Sequence, residues 1–110
     1  MIFDYSTSFN LQSKKYDWIK IAFILKELNK PMTANQINYI FNKIFENRYC
    51  NSRRISQILK SKNKYFGVIE FDKRKIKQTR SYYWNDGQII LHKSTLLKWN
   101  NKIKSIKDHY

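Results

Sequence analysis

The stretch SRRISQILKSKNK, residues 52–64, decides how this chain is read. Turned as a helix at about 100° per residue, it splits into two faces. Ile55, Ile58 and Leu59 fall on one side. Arg53, Ser56, Gln57, Lys60 and Lys64 fall on the other, with Arg54 and Ser61 on the flank. The outward face holds cations, hydroxyls and an amide, and no carboxylate. Such a face suits a groove lined by phosphates and floored by base edges. The ordinary alternative is a solvated amphipathic helix. What stands on either side of the stretch weighs one against the other.

Upstream, Asp17 reads as the N-cap of a first helix. Trp18, Ile21, Ala22, Leu25 and Leu28 then follow helical spacing, and Ile19, Phe23 and Ile24 widen the stripe, so this helix should be the most buried. Asn29-Lys30-Pro31 stops it. Thr33 and Gln36 form a capping box for a second helix, which turns Ile37, Ile40, Phe41 and Ile44 inward and ends near residues 45–47. A polar connection leads to Ser52, the expected cap of the third helix.

Downstream the period changes from helical to alternating. YFGVIEF, residues 65–71, is short, aromatic and β-branched and reads as a strand. DKRKIKQT, residues 72–79, is a basic run, and RSYYW, residues 80–84, is a returning strand. Asn85-Asp86-Gly87 signals a turn, and residues 88–92 are expected as the third strand of a meander. Ser94 is the expected cap of a last helix over residues 95–107. Its stripe of Leu96, Trp99, Ile103 and Ile106 fits either a return to the core or a seam with a second copy. Residues 1–14, with Phe3, Tyr5, Phe9 and Leu11 alternating with polar residues, read as an N-terminal arm that permits a short strand.

Three helices followed by a hairpin with a basic tip resemble the winged helix-turn-helix family of DNA-binding proteins. The helical stretches at residues 17–29, 33–44 and 52–61 and the YFGVIEF…RSYYW pair carry the likeness, over roughly residues 16–85. The resemblance implies an α+β fold: a three-helix core, a β-hairpin wing and, here, an additional C-terminal helix. The length fits a single domain over 1–110, divided into an arm at 1–14, a winged core at 15–85 and a strand and helix extension at 86–110 that could dimerise. The resemblance places the third helix in the major groove, with Ser52, Arg53, Arg54, Ser56, Gln57, Lys60 and Lys64 as its contact residues. Lys73, Arg74, Lys75, Lys77 and Arg80 then form or flank the wing on the DNA backbone or in the minor groove. The connection between the second and third helices is longer than in a tight helix-turn-helix.

The charge map points the same way. The chain carries 22 Lys and Arg against 8 Asp and Glu, a net +14 in 110 residues. That is well beyond what solubility asks of a small domain, and it repels itself in the compact state. Residues 52–80 hold ten of the cations and two of the acids, a net +8 of the +14. An even spread would put about a quarter of the charge there. The expected partner is therefore double-stranded DNA, with a homodimer through the last helix as a second expectation and no membrane partner. The functional expectation is a sequence-specific DNA-binding transcriptional regulator. The alternatives are an RNA-binding or ribosome-associated winged module, and a protein-interaction subunit of a transcription or replication assembly.

Other classes find little support. The acids form no tight cluster for two-metal chemistry, and there is no glycine-rich phosphate loop or serine nucleophile elbow, so no catalytic residue is assigned. Tyr82 and Tyr83 read as strand aromatics that pack a core rather than as nucleophiles. Cys50 is alone, so no intrachain disulfide forms, and with His92 and His109 it gives no zinc-ligand spacing; no metal or cofactor is expected. No apolar run is long enough for a membrane span, and MIFDYSTSF does not read as a signal peptide. A cytoplasmic, nucleoid-associated location is expected, or a nuclear one in a eukaryote.

Overall fold

A computed structural model describes residues 2–7, 11–46, 50–70, 80–85 and 87–109. Phe9, the basic tip with Lys73, Arg74, Lys75 and Lys77, and Asp86 of the expected turn lie outside the described residues. Within them the fold is α+β.

The central element is α1, Asp17–Leu28. Every residue from Ile19 to Leu25 is buried, Lys20 included, so this helix is surrounded rather than amphipathic. It ends where Asn29 turns left-handed at φ 51°, and Pro31 follows. Asp17 does not cap it. The N-cap position is Tyr16, which gives no side-chain bond, and the Asp17 carboxylate is buried elsewhere. A single turn of 3₁₀ helix, Lys14–Tyr16, leads in.

Between α1 and the next helix lies β2, Met32–Thr33, a two-residue strand that sequence period cannot register. The arm's strand, β1, is Ile2–Tyr5. Helix α2, Ala34–Phe45, starts with the expected capping box: Gln36 N donates to Thr33 Oγ1 at 3.2 Å and Thr33 N donates to Gln36 Oε1 at 3.0 Å. Helix α3 is Ser52–Ser61. Its cap is Asn51 rather than Ser52, with Asn51 Oδ1 accepting from Arg54 N at 2.9 Å. Ile37, Ile40, Phe41 and Ile44 from α2 and Ile55 and Leu59 from α3 close over α1. Each such fully buried side chain contributes about 1.5–3 kcal/mol.

β3, Phe66–Glu70, and β4, Arg80–Trp84, form the expected antiparallel pair, with Phe66 opposite Trp84 and Glu70 opposite Arg80. β2 adds to the far side of β4, placing Met32 opposite Tyr82 and Thr33 opposite Ser81. The strand order is β2-β4-β3. The strand after the turn, β5 at Gln88–Leu91, does not extend this sheet as a meander. It pairs in parallel with β1, Ile2 opposite Gln88 and Tyr5 opposite Leu91. Arm and extension are thus tied to each other.

The last helix, α4, is Lys93–Lys107, capped by His92 and not by Ser94. Its stripe returns to its own core. Trp99 meets Phe23 at 5.2 Å and Phe45 at 5.0 Å between ring centroids, and Ile103 is buried. Leu96 and Leu97 remain exposed, at 38% and 63%.

Candidate nucleic-acid interface

Ile55 and Leu59, four residues apart, pin α3 to the core and so set its rotation. The opposite face follows. Arg53, Gln57 and Lys60 are exposed, while Ser52 and Ser56 are partly covered. Helix α3 ends one turn earlier than the 52–64 reading. Lys64 therefore leaves its face and sits, exposed, in the turn before β3, where Tyr65 N donates to Lys62 O at 2.9 Å.

Arg54, on the flank, is turned away from the outward face. Its Nη2 donates to Asp17 Oδ2 at 2.8 Å and its Nε to the same oxygen at 3.3 Å. Asp17 Oδ1 accepts from Lys20 Nζ at 3.2 Å. Arg54 thus joins α3 to α1 and is committed within the fold.

An open cleft of about 370 Å³ runs along the outward face of α3. From α3 it takes Ser52, Arg53, Ser56 and Lys60. The cap and start of α2 supply Thr33, Ala34 and Asn35, and β4 supplies Arg80 and Tyr82. Among the described residues that line this cleft, three are cations and none is a carboxylate. The positive end of the α2 dipole points the same way. An oxyanion there would meet guanidinium, ammonium and hydroxyl donors and the first backbone N–H groups of α2. Among the described residues that line it there is no Asp, Glu, His or Cys.

Of the residues expected at the interface, the fold brings Ser52, Arg53, Ser56, Lys60 and Arg80 to one cleft. Gln57 is exposed on α3 outside the cleft lining, and Lys64 lies past the helix end. The contribution of α2 was not foreseen. Its capping box marks where the helix begins, but nothing local says that this end faces α3. Among the described residues no group of three or more His, Cys, Asp or Glu could hold a metal ion, and no helix is long and apolar enough to cross a membrane. Comparison with known protein families, with curated proteins and with solved structures gives no match.

Proposed function

We propose that the chain is a winged helix-turn-helix protein that binds double-stranded DNA and acts as a transcriptional regulator. The observation that carries this reading is the cleft: α3's polar face, the α2 N-terminus and Arg80 of the hairpin converge on one surface lined by three cations. The order of elements supports it, with a short strand between the first two helices joined to the hairpin that follows the third.

In this reading α3 lies in the major groove. Lys60, Arg80 and the α2 N-terminus hold phosphates and displace counterions, which gives affinity without sequence preference. Arg53 reads the O6/N7 edge of guanine, and Gln57 the N6/N7 edge of adenine. Arg54 acts at one remove, by holding α3 against α1.

The test is a titration of the full chain with duplex DNA, single-stranded DNA and RNA at several salt concentrations. Duplex preference, with a log-log salt slope near about −5 for some six phosphates, is the expected result. Equal or tighter binding to RNA would overturn the duplex assignment. Failure to enrich any short sequence from a random duplex pool would overturn the regulatory role.

A further inference from the structure

The C-terminal helix repeats, at another place in the fold, the composition that singles out α3. Helix α4 carries five lysines and no carboxylate in its 15 residues. Two of the five face the body of the molecule. Lys102 Nζ lies 3.8 Å from Glu46 Oε1, and Lys107 Nζ lies 2.7 Å from Glu27 Oε2. The other three, Lys93, Lys98 and Lys104, are exposed and have no carboxylate partner among the described residues. Helical spacing gathers them on one arc with Ser94, Asn101 and Ser105, opposite the buried Trp99 and Ile103. Asp108, the residue that ends the helix, falls four positions past Lys104 on the same side but forms no ion pair with it.

The chemistry of that arc fits phosphate better than lipid. A helix lying in a membrane interface buries a bulky apolar face among acyl chains. In α4 that face is already committed to Phe23 and Phe45 of the core, and Leu97 is the lone apolar residue on the outward arc. Hydroxyl and amide donors beside ammonium groups are the usual partners of a nucleic-acid backbone.

Position matters as much as composition. The cap and first two residues of α2, Thr33 to Asn35, line the α3 cleft. Its C-terminal end meets α4, through Phe45 on Trp99 and Glu46 on Lys102. The α3 cleft and helix α4 therefore sit at opposite ends of a 12-residue helix, with the lysine arc on the side of α4 away from Trp99. Such a helix is about 18 Å long. That is about twice the screening length at physiological salt, so each surface binds on its own account.

We propose that the outward face of α4 is a second phosphate-binding surface, so that one copy of the chain holds two duplex segments at once. This rests on the duplex-binding reading of α3. The test is capture of a second duplex. The full chain is bound to a duplex on beads, washed, and offered a fluorescent duplex at low and physiological salt. The parent retains the second duplex. The variant Lys93→Gln/Lys98→Gln/Lys104→Gln loses about tenfold of that capture, and its capture has a salt slope shallower by about 2.7. It still binds a single duplex as the parent does. Undiminished capture by this variant overturns the proposal. So does a parent that binds one duplex and captures no second, which leaves the α3 reading standing. A parent that binds no duplex at all overturns both. Capture lost on dilution while single-duplex binding persists assigns it to a dimer and overturns the proposal. So does a triple variant altered in binding anionic phospholipid vesicles but not in capturing DNA.

Discussion

Arg54 on α3 and Asp17 at the start of α1, 37 positions apart, meet through one carboxylate oxygen, with Nη2 at 2.8 Å and Nε at 3.3 Å. The carboxylate is 1% exposed, and its other oxygen accepts from the buried Lys20. Two cations therefore share one buried anion. The bond ties the start of α3 to the start of α1.

Replacing Asp17 by Asn keeps the shape and removes the charge. Lys20, whose side chain is only 4% exposed, then loses its counterion. Breaking a buried pair from one side costs about 3–5 kcal/mol. Arg54→Gln costs less, because Arg54 is a third exposed and Asp17 keeps Lys20. Urea unfolding of both variants checks the order. Equal losses would remove Asp17 from the centre of this network.

Gly67 and Tyr83 face each other across the β3–β4 pair, and the Tyr83 ring covers the place where a Cβ at Gly67 would stand, 2.0 Å from Cζ. Gly67→Ala should push the ring outward and cost about 1 kcal/mol in lost cross-strand packing. In a Tyr83→Ala background the same change should cost nothing. A double-mutant cycle with coupling of about 0.5–1 kcal/mol is the expected reading, and additivity would refute the contact.

Much of this was legible because it is local. The Thr33–Gln36 capping box spans four residues, and the rotation of α3 follows from Ile55 and Leu59. What was not legible depends on distant partners. Alternation in residues 2–5 allows a strand but cannot name Gln88–Leu91 as its mate. Asp17 before an apolar stripe reads as a cap, yet burial beside Lys20 and Arg54 gives the carboxylate stronger partners than backbone N–H groups. Asn51 and Ser52 are both good caps, and one step along the chain decides which is used. The cleft itself joins α3, α2 and β4, and no helical wheel contains that juxtaposition.

The arm is held by Phe3, whose ring meets Tyr65 at 4.9 Å, Trp18 at 5.2 Å and Trp84 at 5.9 Å, all edge-on. Such ring pairs contribute about 0.5–1.5 kcal/mol each beyond buried area. Phe3→Ala should lower stability by about 2 kcal/mol or more. It should also shift tryptophan emission to the red, because Trp18 and Trp84 lose cover. Unchanged emission would mean that Phe3 does not shield them.

Burial, with the Asp17 carboxylate adding to it, pushes the Cys50 thiol up to about 11 from its ordinary 9.0. The folded state therefore favours the neutral thiol. Its contribution is complete below about pH 9 and is lost as the pH rises through about 11. Two outcomes follow. Alkylation of the native protein near neutral pH should be far slower than that of the urea-unfolded chain. Cys50→Ala should lose less stability than the parent between pH 9 and pH 11. Rapid native alkylation at pH 7 would place the thiol in solvent.

Arg53 and Lys60 lie on the same face of α3, but different losses are expected from each. Arg53→Ala should remove about 1–3 kcal/mol of discrimination between the preferred duplex and one with the contacted guanine replaced, while other duplexes bind nearly as before. Lys60→Gln should weaken every duplex alike and make the salt slope shallower by about 0.9, one phosphate's share. Neither side chain is buried, so unfolding free energies should stay within about 0.5 kcal/mol of the parent, which separates these effects from those of Asp17 and Arg54. Titrations of the two variants against matched duplexes at several salt concentrations decide the matter. If Arg53→Ala and Lys60→Gln both shift all duplexes equally, α3 grips the backbone without reading bases.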